Sequence, residues 1–121
     1  MKKVLLVEDD EITGNMLRHK LSRDQYEVEM AVNGLDAVKI LDTFVPDVIV
    51  TDLMLPFVSG LELINHVRQV KQSEVPVIVL SFSGDEAMIL KAFDMGASDF
   101  MTKPFSPNEL SVRIKKLLAK K

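Results

Sequence analysis

The sequence predicts an α/β domain in which a parallel sheet of five strands carries helices on both faces. Short apolar, β-branched runs alternate along the chain with stretches of helical periodicity, the order that crossover connections produce. One run, Val48-Ile49-Val50, is unbroken rather than alternating, which suits a strand buried on both faces. Four runs are followed at once by polar side chains, and an open parallel sheet binds its ligands beyond the carboxyl ends of its strands.

The first strand is Val4-Leu5-Leu6-Val7, followed by Glu8, Asp9, Asp10 and Glu11. Acids in succession repel one another. They are read here as part cation site and part helix cap, with Asp10 as the cap of the first helix. Ile12, Met16, Leu17 and Leu21 recur at helical spacing up to about Asp24, and Thr13 and Gly14 weaken that helix slightly. Val28 to Val32 is a short second strand, and Asn33-Gly34 is a turn signal. Leu35, Val38 and Leu41 mark a second helix that ends near Phe44, where Val45-Pro46 breaks it. The third strand runs from Val48 into Asp52, and Pro56 and Gly60 then turn the chain into a third helix marked by Leu61, Ile64 and Val67. His66 is expected on the polar side of that helix as a surface residue, since it has no second metal ligand near it in sequence.

Val75 to Ser81 is a fourth strand closed by a hydroxyl. Ser83-Gly84-Asp85-Glu86 has capping-box spacing and opens a helix through Met88, Ile89, Ala92 and Phe93 that stops at Gly96. Asp99 to Thr102 is the fifth strand, and Lys103-Pro104 leaves it. Ser106-Pro107-Asn108-Glu109 is a second capping box with proline at the first helical position. It starts a helix whose stripe is Leu110, Ile114, Leu117 and Leu118 and whose lysine-rich end suits a helix C-terminus.

The totals narrow the classes. A chain of 121 residues, 47% hydrophobic and 27% charged, is one ordinary globular domain with one core. With no cysteine, disulfides, thiolate metal sites and a cysteine nucleophile are excluded. A net charge of -3 argues against this domain gripping nucleic acid directly. The apolar runs are far too short to span a membrane, Lys2-Lys3 with Val4 to Val7 is too short for a signal peptide, and the lack of cysteine is compatible with the expected cytoplasmic location.

Glu8-Asp9, Asp52, Ser81 and Lys103 all project from one carboxyl edge of the predicted sheet. Three carboxylates packed together need a cation, and an all-oxygen ligand set favours Mg²⁺. Lys103 offers a point charge for an anion and Ser81 a hydroxyl donor. This inventory suits phosphoryl transfer onto Asp52 as an aspartyl phosphate.

At these residues the sequence resembles the receiver domain of two-component response regulators, over the whole chain, residues 1–121. The matching pieces are Val4 to Asp10, Asp52 to Pro56 with Gly60, Val77 to Ser81, Gly96 to Phe100 and Lys103-Pro104-Phe105. The resemblance implies a doubly wound, flavodoxin-like sheet of order 2-1-3-4-5, a strand order for which a chemotaxis receiver is a standard example. It implies Asp52 as phosphoacceptor, with Glu8, Asp9, Asp52 and the Met54 backbone carbonyl as Mg²⁺ ligands. Ser81 is implied as the switch hydroxyl, Lys103 as the partner of the phosphoryl group, Phe100 as the aromatic switch and Lys103–Pro104 as a cis peptide. The implied partners are a sensor histidine kinase or phosphotransfer protein and a second copy docked through helix 4, strand 5 and helix 5. Lys91, Asp94, Asp99, Glu109 and Arg113 are the candidate ion-pairing residues on that face. The implied role is a signalling phosphoacceptor, not a turnover enzyme, which controls an attached or partner DNA-binding output.

Phe82 departs from the family, which usually has a small residue just after the switch hydroxyl. Its ring either narrows access to Asp52 or lies harmlessly over the rim, and with Phe57 it offers an apolar patch. Met54 and Ser83 also flank the site. A phosphorylation-independent pseudo-receiver is the alternative reading. An Asp-nucleophile phosphatase is disfavoured because Met54 stands where a second Asp is needed.

Overall fold

The computed structural model describes residues 1–82 and 86–119. The elements run β1 (Lys3–Val7), α1 (Glu11–Arg23), β2 (Glu27–Ala31), α2 (Gly34–Ile40), β3 (Val48–Asp52), α3 (Gly60–Asn65), β4 (Val77–Ser81), α4 (Glu86–Asp94), β5 (Asp99–Thr102) and α5 (Pro107–Ala119). α3 continues as a wider π-helical turn over His66–Val70. The five strands are parallel and lie in the order β2-β1-β3-β4-β5. The capping box expected at Ser83 to Glu86 lies largely outside the described residues, as does the lysine end of α5.

Alternation along the strands divides the core into two layers. Leu5, Val7, Ile49, Val77 and Val79 pack toward α2, α3 and α4, against Ala37, Leu63, Ile64 and Ala92. Val4, Leu6, Val48, Val50, Ile78 and Leu80 pack toward α1 and α5, against Leu17, Leu21, Leu110 and Ile114. Each such valine, leucine or isoleucine side chain, removed wholly from water, contributes roughly 1.5–3 kcal/mol. Burial on both faces explains why β3 and β4 read as continuous apolar runs, whereas the edge strand β2 alternates between exposed and covered residues.

Several expectations are corrected. Ile12 and Met16 are exposed, and the buried stripe of α1 is Gly14, Leu17 and Leu21. The cause is local: Asp10 caps the helix, and the Gly14 face lies against Met30 and Glu8, where an added Cβ would sit 3.0 Å from the Met30 sulfur. Leu35 is also exposed, and α2 ends at Ile40, leaving Phe44 to bury itself from the following turn. Val32 falls outside β2, and Val75-Pro76 falls outside β4, although the Pro76 carbonyl still accepts from Ile49 N–H. A proline can lend its carbonyl to a sheet but has no N–H to donate. His66 is half-buried rather than a surface residue, and its Nε2 is buried without a hydrogen-bond partner. The π-helical turn at His66 alters the facing that regular α-helical spacing would give it.

α1 and α5 are tied by a hydrogen bond from the Ser111 hydroxyl to Asp24 at 2.6 Å, which holds the Asp24 carboxyl below its ordinary range. A depressed carboxylate stabilises the fold above its unfolded-state value and loses that contribution as pH falls through the folded one. Ser111→Ala should therefore cost less than about 1 kcal/mol at neutral pH, because the pair is partly solvated. It should also make the stability curve less steep below the ordinary aspartate range, as urea titrations across that range would measure.

Candidate functional site

Asp52 is the last residue of β3, and its partner strands put the ends of β1 and β4 on either side of it. It is 4% exposed, and Glu8, just past β1, is fully buried. Lys103 reaches in from the end of β5, where its N–H donates to the Ser81 carbonyl at 2.6 Å. Lys103 Nζ lies 2.6 Å from Glu8 Oε1 and 2.8 Å from Asp52 Oδ1. Asp9 is exposed, and its backbone N–H approaches Asp52 Oδ2 at 3.4 Å. The structure thus brings together Glu8, Asp9, Asp52 and Lys103 as expected from the sequence. Asp10 is set apart as the N-cap of α1, accepting from the Thr13 N–H and hydroxyl.

Burial pushes the Asp52 carboxyl above its ordinary range, against the pull of Lys103 and the Asp9 N–H. That ordering is physical: removing a carboxylate from water costs more than one shared ammonium returns. Oxygens of Glu8, Asp9 and Asp52 all lie within 4.8 Å of one another, and Glu8 Oε2 is buried with no hydrogen-bond partner. A single lysine leaves this group with excess negative charge. The donor set is oxygen only, is partly open through Asp9, and has an orphaned buried oxygen. It fits a hard divalent cation that keeps some of its water, Mg²⁺ before a softer metal.

Asp9, Asp52, Lys103 and Ser81 line a cleft of about 440 Å³, whose apolar rim includes Met54, Phe82 and Met88. Phe82 is 78% exposed, and its ring lies over Lys103 Nζ, 5.0 Å from the ring centroid, a contact worth roughly 0.5–1 kcal/mol at an exposed site. Phe57 is also exposed, in a left-handed backbone conformation with φ 67°. Phe100 is half-buried, edge-on to Phe93 of α4 at 5.9 Å. The Lys103–Pro104 peptide is cis. Arg113 pairs with Asp99 at 2.9 Å and with Glu109 at 3.4 Å within the chain, so those charges already have partners.

Gly60 is legible in the sequence as a turn residue and as a piece of the resemblance, and the structure makes it part of the site's frame. Its N–H donates to the Leu53 carbonyl, and a Cβ there would lie 2.4 Å from the Asp52 backbone oxygen. Ser59 and Glu62 form a reciprocal capping box that starts α3. Its sequence signal is a serine three residues before a glutamate at the head of an apolar stripe. Thr51, buried beside Asp52, donates its hydroxyl to the Asp52 carbonyl at 3.0 Å, and nothing in its sequence position announces this.

A family model described as the response regulator receiver domain matches residues 4–115. The alkaline phosphatase synthesis transcriptional regulatory protein PhoP of Bacillus subtilis is 39% identical over 117 residues, covering 97% of this chain and 48% of that protein. The chain spans about half the length of the curated relatives it matches. Among solved structures, the chemotaxis response regulator CheY4 of Vibrio cholerae superposes with a TM-score of 0.90 at 30% identity, covering 97% of this chain and 98% of that one. The receiver domain of the sensor histidine kinase PA1611 from Pseudomonas aeruginosa superposes at 0.88 with 25% identity and 98% coverage of both chains, and it carries a magnesium ion in its active-site cleft. Strand order, an acid cluster closed by a lysine at the sheet's carboxyl edge, and a sequence match over nearly the whole length therefore agree: the chain belongs to the response regulator receiver domain family of two-component systems.

Proposed function

We propose that Asp52 accepts a phosphoryl group from a phosphohistidine of a sensor histidine kinase or phosphotransfer protein, in a Mg²⁺-dependent reaction. The observation that carries this reading is the placement of a nearly buried Asp52 between Lys103 and the Glu8–Asp9 pair. An Asp52 oxygen attacks phosphorus, the phosphorus–nitrogen bond breaks, and its electron pair returns to the imidazole. Glu8, Asp9, Asp52 and the Met54 carbonyl would hold Mg²⁺, which supplies positive charge against the phosphoryl oxygens when bound. Lys103 is already positioned to pair with one of those oxygens, and the fixed backbone around Asp52 orients the nucleophile. The protein acts here as a phosphoacceptor that assists its own transfer, not as an enzyme of sustained turnover. Met54 stands where an Asp-nucleophile phosphatase needs its second acid.

The output follows from the same edge of the sheet. Ser81 ends β4 and Phe100 lies in β5 against Phe93 of α4, so a hydroxyl drawn toward the phosphoryl group opens space for the aromatic ring. The α4–β5–α5 face exposes Leu90 and Phe93 beside the Arg113 ion pairs. That face is the proposed contact for a second copy, and control of a DNA-binding output is supported by relatives named as transcriptional regulators. Among the described residues no helix is long and apolar enough to cross a membrane, which is compatible with the proposed cytoplasmic location. The second reading, a pseudo-receiver that binds partners without taking phosphate, is favoured by one observation, the Phe82 ring over Lys103.

The test is incubation with Mg²⁺ and a small acyl phosphate, followed by intact mass. One phosphoryl adduct is expected, absent without Mg²⁺ and absent in Asp52→Asn. A folded wild-type sample with no adduct and no response to Mg²⁺ would overturn the phosphoacceptor reading in favour of the pseudo-receiver.

A further inference from the structure

Thr51 carries a hydroxyl where packing alone calls for none. It is fully buried in β3, opposite Val7 of β1 and Val79 of β4, and valine has nearly the same shape without a polar atom. Burying a hydroxyl costs free energy unless it is hydrogen-bonded, and this one donates to the Asp52 carbonyl at 3.0 Å. The carbonyl needs that donor because of where the strands end. β1 stops at Val7, opposite Thr51, and the Asp9 N–H beyond it turns to the Asp52 carboxylate instead. The groups that follow are held one by one. Leu53 N–H donates to the Leu80 carbonyl at 2.8 Å, and the Leu53 carbonyl accepts from Gly60 N–H at 2.9 Å. The Met54 carbonyl is thus the first after Asp52 to which no group among the described residues donates.

We infer that Thr51 is a positioning residue whose hydroxyl fixes the Asp52–Leu53 peptide and, through it, the Met54 carbonyl as a ligand for Mg²⁺. This role rests on the Mg²⁺-dependent phosphoacceptor reading above. The Asp52–Leu53 peptide is held at both ends, its carbonyl by Thr51 and its N–H by Leu80, so it cannot rotate without losing two hydrogen bonds. The bare Cα of Gly60 leaves room for that carbonyl, since a Cβ there would lie 2.4 Å from the Asp52 oxygen. A ligand atom already held in place gives up less conformational freedom on binding, so groups that never touch the cation still set its affinity. Without the hydroxyl, the Asp52 carbonyl is buried and lacks its donor. The peptide then turns to find another, and the chain leading to Met54 turns with it.

The experiment titrates Mg²⁺ into the full chain by calorimetry for wild type, Thr51→Val and Thr51→Ser. Thr51→Val removes the hydroxyl and is expected to bind Mg²⁺ on the order of 10-fold more weakly. Thr51→Ser keeps the hydroxyl and should bind nearly as wild type does. The Mg²⁺ concentration that half-saturates adduct formation from acetyl phosphate should rise in Thr51→Val by the same factor. Equal Mg²⁺ affinity in folded Thr51→Val and wild type overturns the inference, because a hydroxyl that only supports the core would lower stability alone. Equal weakening in Thr51→Val and Thr51→Ser also overturns it, since the methyl group would then be the cause. One readout needs no variant and stands even where Thr51→Val does not fold. In carbonyl-carbon NMR spectra of wild type, Mg²⁺ should move the Met54 signal and leave that of Leu53 in place, and a Leu53 signal that moves as far overturns the inference. A folded wild type that binds no Mg²⁺ removes the metal reading of the site and this inference with it.

Discussion

Lys103→Met should reduce phosphoryl uptake from an acyl phosphate by about 10²-fold or more, and it should lower stability by about 3 kcal/mol in metal-free buffer. The two effects share one cause. Lys103 is the cation that the structure pairs with both Glu8, fully buried, and Asp52, 4% exposed. Methionine preserves the length of the stem but leaves two carboxylates in low dielectric, with Glu8 Oε2 unsatisfied in addition. Breaking a buried pair by removing one partner is far costlier than the pair's net contribution, because the remaining charge stays buried. In the proposed transfer step the missing ammonium could no longer meet the phosphoryl oxygens. Mg²⁺ should therefore stabilise Lys103→Met more than it stabilises wild type, since it replaces the lost charge. Urea unfolding with and without Mg²⁺, beside adduct formation by mass, checks both parts. Equal metal-free stability for the variant and wild type would mean that the Lys103 contacts do not balance the acids.

Alanine at Gly34 or at Gly60 should destabilise by about 3 kcal/mol or more, the steric extreme of the usual range for single substitutions. At Gly34 the new Cβ would lie 1.9 Å from the Val58 carbonyl oxygen, and at Gly60 it would lie 2.4 Å from that of Asp52. Both obstacles are backbone, so no side chain can turn aside and the β3–α3 loop must shift instead. The two variants should then separate by function. Gly60 presses on Asp52, the proposed nucleophile, so the folded fraction of Gly60→Ala should load phosphate more slowly. Gly34 packs against the far part of the loop, and its folded fraction should load nearly as wild type does. Denaturant titration gives the first quantity and loading per folded molecule the second. Gly60→Ala with wild-type loading would show that the loop absorbs the clash without moving Asp52.

The strand positions were legible because fully buried parallel strands leave unbroken apolar runs, as at Val48 to Val50, and because proline and glycine marked their exits. The site was legible because four strand ends carried chemistry that converges at one edge. The resemblance supplied strand order and residue roles that spacing alone did not. What sequence pattern missed depends on contacts between distant residues. Ile12 and Met16 have helical spacing, but the packing of Gly14 on Glu8 and Met30 decides which stripe of α1 faces inward. His66 read as a surface residue because a π-helical turn breaks the period that assigned it a side. Arg68 gave no signal, yet it donates to the Gly96 carbonyl at 2.7 Å and to Ser73 at 2.9 Å, joining the end of α3 to the turn after α4. Gly60 and Gly34 read as turn punctuation, whereas their missing Cβ atoms admit a neighbouring carbonyl.

The strand order also bears on assembly. β2 and β3 flank β1 on its two sides, and β4 and β5 each extend the edge left by the strand before. A chain emerging from the ribosome can therefore add each new strand to an open edge, although every parallel pairing still closes a long loop through its crossover. Glu8 and Asp52 are brought together as soon as β3 docks, whereas Lys103 arrives only behind β5. Until that last strand is in place the nascent domain holds its acids without their countercharge, which penalises any early, partly folded product. Completion of the sheet and neutralisation of the site are one event, so a chain stalled before β5 should be recognisable by slow, Mg²⁺-sensitive protection of its β1 and β3 amides.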